Sequence, residues 1–224
     1  MIEVRDVTHA YGDRIVLRSV TVALSERRVA VIGANGSGKS TFARLLNGLV
    51  LPGWGDVRVD GRSTRSDAAA VRRAVGFVFT DPDAQIVMPT VAEDVAFGLR
   101  RHRLGRDETR RRVAAALVDI GLQDHADHPA HLLSGGQKQL LALCSVLVTG
   151  PRILVCDEPT TLLDLRNTRR VLDILHRLPQ QVVLVTHDLD SVAGYDRVLV
   201  FDEGRLVADG APDVAVGRYR ELVG

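Results

Sequence analysis

The spacing of hydrophobic residues divides the chain into two strand-rich ends and a helical middle. Three segments alternate between apolar and polar positions, as half-exposed antiparallel strands do: residues 2–7, 16–24 and 56–59. Three shorter runs are apolar without interruption, which is typical of buried strands: residues 29–32, 153–156 and 182–185. A further strand is predicted at residues 75–79, and a hairpin turn at Glu203-Gly204.

Helical spacing and capping residues predict the helices. Residues 40–49 follow the first buried run with apolar positions at helical spacing, and residues 166–178 form another helix. In the middle of the chain, Thr90 and Glu93 form a capping box, Asp107 caps a second helix, and Ser134 begins a third.

These elements predict one α/β domain. Residues 1–84 and 150–224 would form a parallel sheet core with an antiparallel β subdomain contributed by the N-terminal strands. Residues 85–149 would form a helical subdomain inserted into that core.

Composition narrows the possible functions. The net charge is +1 and aromatic residues are 4% of the chain, so neither a basic surplus nor stacking platforms favour nucleic acid as a partner. Cys144 and Cys156 lie in apolar runs, which indicates buried thiols rather than a disulfide. No signal peptide is evident, and the longest apolar run, residues 140–148, is far below the ~20 residues of a spanning helix. We therefore expect a cytosolic protein whose membrane role, if any, runs through a partner.

A glycine-rich segment follows the first buried strand and precedes a helix. Residues 33–40 fit the pattern G-x-x-x-x-G-K-[ST], whose backbone N–H groups surround phosphate oxygens. Lys39 would add a charge near the outer phosphates, and the Ser40 hydroxyl can ligate Mg²⁺. The segment predicts contacts with a nucleoside triphosphate from Asn35, Gly36, Ser37, Gly38, Lys39, Ser40 and Thr41.

Acidic residues and a histidine follow the other two buried runs. Asp157 can hold Mg²⁺, and Glu158 can polarise a water for in-line attack on the γ-phosphate. His187 can donate a hydrogen bond to that phosphate. Each would otherwise be an ordinary residue at a strand end, but together with the glycine-rich loop they predict a hydrolytic site.

Residues 133–137, Leu-Ser-Gly-Gly-Gln, predict a second phosphate clamp. Ser134 caps a helix, and Gly135 and Gly136 expose N–H groups where the helix dipole favours an anion. The alternative is a helix start with only a structural role.

In this order, the motifs resemble those of the ATP-binding cassette (ABC) ATPases over essentially the full chain. Residues 33–40 resemble Walker A, 133–137 the signature, 153–158 Walker B and 161–164 the D-loop. The resemblance implies a P-loop NTPase with a RecA-like core, ATP and Mg²⁺ as cofactors, and a head-to-tail homodimer in which the signature completes the site of the second protomer. It adds two residues to the site, Tyr11 stacking on adenine and Asp164 near ATP, and it implies that His187 is the switch histidine.

A narrower resemblance lies in residues 78–99. They look like the energy-coupling-factor transporter ATPases, and residues 85–90 look most like the ATPase of biotin uptake systems. This implies an integral membrane scaffold subunit, a separate vitamin-binding membrane subunit, and a place on the cytoplasmic face of the inner membrane. Gln85 would contact the partner in a groove. The cobalt and nickel ATPases share the broader pattern and are the alternative.

Two positions depart from the family pattern. Thr80 stands where a glutamine is expected after Phe79; its shorter hydroxyl is a further candidate Mg²⁺ ligand. The D-loop reads Thr-Leu-Leu-Asp at residues 161–164, where serine and a small residue are common. Coupling to the partner would be altered at both places.

Other interpretations remain open. A soluble ABC protein acting on nucleic acid or ribosomes would usually carry two cassettes, and a P-loop kinase would lack the signature and His187. The spacing of His125, His128 and His131 suggests a metal site, but Pro129 breaks a helix there. The arginines between positions 100 and 112 form either a solvated helix face or a contact with lipid headgroups.

Overall fold

The computed structural model describes residues 1–224 and divides the chain into two compact units. The first contains Met1–Phe77, Arg152–Glu158 and Leu178–Gly224, and the second contains Val78–Pro151 and Pro159–Arg177. The second unit therefore takes in residues 78–84 and 159–177, which the sequence analysis had placed with the core. No helix has both the length and the apolar character that crossing a membrane requires.

A six-stranded sheet forms the centre of the first unit. Its order is β10-β9-β3-β8-β7-β6, with β3 parallel to β8 and β9, and β7 parallel to β8. Strands β3, β7 and most of β8 are buried because nearly every residue in them is apolar. The bounds are β3 Arg28–Gly33, β6 Val75–Val78, β7 Ile153–Asp157, β8 Gln181–Val185, β9 Arg197–Asp202 and β10 Arg205–Gly210.

The second sheet is antiparallel, in the order β2-β1-β4-β5. Its alternating residues put Ile2, Val4 and Leu24 into the core and leave polar neighbours in solvent. The bounds are β1 Ile2–Tyr11, β2 Arg14–Leu24, β4 Trp54–Val59 and β5 Arg62–Ser63. Together the two sheets confirm the predicted parallel sheet core with an antiparallel β subdomain.

Three helices complete the first unit: α1 Lys39–Leu46, α2 Ala68–Ala74 and α7 Pro212–Val223. The β9–β10 turn is confirmed at Glu203 and Gly204, whose φ values of 43° and 79° suit a two-residue hairpin. The sequence analysis had not predicted β5, α2 or α7. Strand β5 and helix α2 are too short for a clear hydrophobic pattern. In α7 the pattern is weakened by an apolar residue, Val214, that is exposed.

The second unit contains α3 Val91–Gly98, α4 Arg106–Asp119, α5 Gly135–Leu147 and α6 Leu165–Arg177. Thr90 and Glu93 form the predicted capping box at the start of α3. The prediction of Asp107 as a cap was wrong: Gly105 is the cap residue of α4, and Asp107 lies in the first turn, where its charge favours the helix dipole. The predicted α4 face is buried at Val113 and Leu117.

The arginine-rich stretch around α4 is solvated. Glu108 pairs with Arg111 at 2.6 Å and with Arg112 at 2.7 Å, and Arg111 is 74% exposed. Such exposed pairs within one helix contribute only a few tenths of a kcal/mol, roughly 0.3–0.5.

Candidate active site

The glycine-rich loop occupies backbone conformations that larger residues would strain. Gly36 and Gly38 have φ values of 80° and 102°, in the left-handed region. A Cβ on Gly38 would lie 2.8 Å from the Val16 carbonyl oxygen, and one on Gly33 would lie 2.1 Å from the Phe201 carbonyl oxygen. The loop is therefore packed against neighbouring backbone. It leads into α1, whose first N–H groups have no acceptor within the helix.

Lys39 is buried within this loop. Its Nζ donates to the carbonyls of Gly33 at 2.7 Å and of Ala34 at 2.9 Å, which uses two of its three N–H groups. Burial lowers the pKa of Lys39, although the nearby charges of Glu158 and Asp157 act in the opposite direction. The Ser37 hydroxyl is also buried and has no partner in the chain. A phosphate group would supply acceptors to both side chains, so the loop fits a polyphosphate.

Ser40 and Asp157 meet at the edge of the sheet. The Ser40 hydroxyl donates to Asp157 Oδ1 at 2.8 Å, and Arg44 lies 3.7 Å from the other carboxylate oxygen. Burial raises the pKa of Asp157, which means that its negative charge needs further compensation. A hydroxyl and a carboxylate are the oxygen ligands that Mg²⁺ prefers. The pair therefore fits the metal that the sequence predicts there.

Glu158 and His187 are adjacent. His187 Nδ1 lies 3.1 Å from Glu158 Oε2, and the Glu158 side chain is 16% exposed against 54% for His187. The backbone of Glu158 is held in the left-handed region at φ 49°, and its N–H donates to the Val185 carbonyl at 3.0 Å. A left-handed backbone at a non-glycine residue is costly and is concentrated at functional sites. The geometry presents a carboxylate that an imidazole orients.

A cavity of about 320 Å³ in the first unit brings together Lys39, Ser40 and Glu158, whereas Ser37, Asp157 and His187 do not line it. Its lining is Tyr11, Arg14, Val16, Asn35, Gly36, Gly38, Lys39, Ser40, Thr41 and Glu158. Arg14 and Val16 were not predicted as lining residues. Arg14 pairs with Tyr11 across a two-residue hairpin turn, so the hairpin signal at Gly12 could have placed both side chains at one edge of the cavity.

Tyr11 has the exposure that stacking needs. The residue is 49% exposed, and its ring makes an edge-on contact with His9, with ring centroids 4.7 Å apart. This contact orients the ring and leaves apolar surface at the mouth of the cavity.

The signature segment lies in the second unit, at the start of α5. The Ser134 hydroxyl accepts from the Gln137 N–H at 3.3 Å, and Gln137 Oε1 accepts from the Ser134 N–H at 2.9 Å. This is a reciprocal capping box. Ser134 and Gly135 are exposed while Gly136 is buried, so the start of the helix, where the dipole favours an anion, faces solvent.

Asn167, which the sequence analysis did not identify, lies directly beneath the signature. A Cβ on Gly136 would lie 2.3 Å from Asn167 Cγ. The Asn167 side chain donates to Asp164 Oδ2 at 3.0 Å, and its backbone N–H donates to Asp164 Oδ1 at 2.8 Å. The D-loop carboxylate therefore caps α6 within its own subunit, and its contact with ATP stays a prediction.

The side-chain amide of Gln85 forms its hydrogen bonds within the second unit. Its Oε1 accepts from the Phe79 N–H at 3.1 Å, and its Nε2 donates to the Ala142 carbonyl at 3.0 Å. A cavity of about 290 Å³ lies beside it, lined by Asp83, Ile86, Val87, Met88, Pro89, Ala130 and His131. Gln85 does not line this groove because its amide links the Thr80 segment to α5. Contact of Gln85 or Thr80 with a partner or metal stays a prediction.

Comparison with known families identifies the chain. Residues 17–161 match the family model described as ABC transporter, which is more than half of the sequence. The chain belongs to the ABC transporter family.

Relatives of this ABC ATPase include three from different bacteria. A putative ABC transporter ATP-binding protein of Deinococcus radiodurans is 55% identical, with 99% of this chain and 98% of the relative covered. The biotin transport ATP-binding protein BioM of Rhizobium etli is 50% identical, with 95% of each covered. The cobalt import ATP-binding protein CbiO of Syntrophus aciditrophicus is 41% identical, with 97% of this chain and 81% of the relative covered.

Two solved structures share the fold along nearly the whole chain. CbiO1 of Clostridium perfringens, part of the ABC transporter complex CbiONQ, is 33% identical with a TM-score of 0.86, and 99% of this chain and 92% of that chain are covered. The cassette MJ0796, a dimer in a post-hydrolysis state with ADP and Pi, is 28% identical with a TM-score of 0.84, and 95% and 99% are covered. The energy-coupling factor transporter ATP-binding protein EcfA1 of Bacillus subtilis is 40% identical, with 100% of this chain and 83% of the relative covered. This ABC ATPase is thus an ATP-hydrolysing subunit of the energy-coupling-factor type.

The three histidines before the signature are not gathered into one cluster. No group of three or more His, Cys, Asp or Glu side chains is placed to hold a metal ion. The His125 and His128 rings instead pack together with centroids 5.0 Å apart.

The packing of Gly136 on Asn167 generates a prediction about stability. Gly136→Ala should lower the free energy of unfolding by about 1–3 kcal/mol, because the added methyl overlaps the Asn167 amide. Gly135→Ala is the matched control, since nothing lies within 4 Å of its Cβ position. Urea denaturation without nucleotide measures both.

A double variant identifies the cause of that loss. Asn167→Ala removes the overlapping amide, so adding it to Gly136→Ala should recover stability relative to the sum of the two single changes. Equal losses for Gly135→Ala and Gly136→Ala, or strict additivity in the double variant, would contradict this packing.

Proposed function

We propose that this ABC ATPase energises a biotin importer. The observation that supports hydrolysis is the convergence of Lys39, Ser40 and Glu158 on one cavity. The biotin assignment is supported by 50% identity to BioM and by residues 85–90, which resemble the biotin-uptake ATPases. The alternative is a cobalt or nickel importer, which the CbiO relative supports.

The proposed working unit is a homodimer with ATP at its seam. The glycine-rich loop of one copy would hold the phosphates, and Ser134–Gly136 of the other copy would close over them. The exposure of Ser134 and Gly135 supports this arrangement, as does the dimer of the related cassette MJ0796. ATP would do work because it binds the closed dimer more tightly than the open one, and hydrolysis removes that difference.

The proposed chemistry uses the side chains at the edge of the sheet. The Glu158 carboxylate would accept a proton from the attacking water, and His187 would hold that carboxylate in place and contact the γ-phosphate. Ser40 and Asp157 would hold Mg²⁺, which neutralises charge on the phosphates when bound.

The proposed membrane partners follow from the energy-coupling-factor type. An integral scaffold subunit would dock on the groove lined by Ile86, Val87 and Met88, in which Val87 is 61% exposed. A separate membrane subunit would bind the vitamin, which would place this ATPase on the cytoplasmic face of the inner membrane.

Replacing the proposed base tests the chemistry. Glu158→Gln should lower ATP turnover by about 10²–10⁴-fold while ATP binding is retained, because an amide cannot accept the proton but keeps the shape. Asp188→Asn, which alters a neighbouring carboxylate outside the cavity lining, is the control. Turnover in Glu158→Gln equal to that of the control would refute the assignment.

Transport assays test the substrate. Co-expression with its membrane subunits, followed by reconstitution into vesicles, should give ATP-dependent uptake of labelled biotin that Glu158→Gln abolishes. Uptake of Co²⁺ or Ni²⁺ without biotin uptake would instead support the alternative.

A further inference from the structure

One of the three histidines before the signature contacts the signature itself. His125 Nε2 lies 2.9 Å from Nε2 of Gln137, the last residue of that motif. His125 is half-buried, whereas His128 and His131 are exposed. The run therefore contains one residue in an unusual position and two ordinary surface residues.

The donor and acceptor of this hydrogen bond can be deduced. Gln137 Oε1 accepts from the Ser134 backbone N–H, which can only donate. The oxygen of the amide must therefore face Ser134, and its NH₂ group must face His125. Because an amide NH₂ only donates, His125 Nε2 must accept, and the ring proton lies on Nδ1.

Nothing else in the chain makes a polar contact that accounts for the ring's orientation. His125 Nδ1 is buried and has no hydrogen-bond partner. The bond from Gln137 is thus the polar contact that holds the ring, and the ring in turn holds the Gln137 amide. That amide forms one half of the cap on α5, and the Ser134 hydroxyl forms the other half.

We propose that His125 is a positioning residue for the signature, acting through Gln137 on Ser134 and on the N–H groups at the start of α5. This rests on the proposed function, in which those groups bind the triphosphate held by a second copy. Losing the bond should weaken closure over ATP. It should leave ATP binding by an isolated subunit unchanged, because that cavity is lined by other residues.

Three variants in the Glu158→Gln background test this role. His125→Phe keeps a ring but has no acceptor, whereas His125→Gln places an oxygen at similar reach. His128→Phe is the matched control, since His128 packs on His125 without contacting Gln137. The readouts are the ATP concentration for half-maximal dimerisation, from sedimentation, and ATP affinity at protein concentrations that prevent dimers.

His125→Phe should raise the ATP concentration for half-maximal dimerisation about fivefold, because losing one net hydrogen bond weakens an equilibrium by about that factor. His125→Gln should restore the parent value, and His128→Phe should not change it. Subunit ATP affinity should be equal in all four proteins. An unchanged His125→Phe, or a His125→Gln as weak as His125→Phe, would overturn the proposal.

Amide hydrogen exchange tests the role of His125 independently of dimerisation. His125→Phe should speed exchange across residues 134–137 in the nucleotide-free subunit, and His125→Gln should restore it. If the parent protein fails to dimerise with ATP, the proposed function is wrong. The role of His125 is rejected separately, if exchange across residues 134–137 is no faster in His125→Phe than in the parent protein. His125→Leu replaces His125→Phe if the latter does not fold.

Discussion

The parallel pairing of three buried strands determines where the chemistry lies. Val185 of β8 is in register with Val31 of β3 on one side and with Asp157 of β7 on the other. Within two residues of these positions, β3 leads into the glycine-rich loop, β7 leads to Glu158 and β8 leads to His187. A shift of register would move these groups apart along the strand direction. The site therefore depends on sheet pairing before any side-chain contact.

Buried charge explains why this edge suits a triphosphate and a metal. Burial lowers the pKa of Lys39 and raises that of Asp157, so each charged form is less stable than it would be in water. The two charges partly compensate one another, and Glu158 adds a further negative charge beside Lys39. A polyanion would place negative charge beside Lys39, and a divalent cation would place positive charge beside Asp157. This is the physical reason for assigning the loop, Ser40 and Asp157 to one site.

Much of this arrangement could be predicted from sequence because it is local. The loop, the capping boxes at Thr90 and Ser134, and the buried strands each occupy a few consecutive residues with a defined pattern. Asn167, Arg14 and the contact between His125 and Gln137 could not be predicted, because they join segments whose packing depends on the whole fold. The contact of Gln85 with a partner stays a prediction, and the bonds of its amide to Phe79 and Ala142 could not be predicted for the same reason. The helix start at Gly105 was missed because Asp107 is by type a better capping residue than glycine.

The claim that one copy completes the nucleotide site of another can be tested by cross-linking. Asn35→Cys and Ser134→Cys would be made in separate Glu158→Gln subunits and then mixed, since both positions are exposed and both native thiols are buried. With ATP, a disulfide should link the two variants into a dimer, and neither variant alone nor the mixture without ATP should give it. Subunits that bind ATP in the mixture but form no such disulfide would contradict the account.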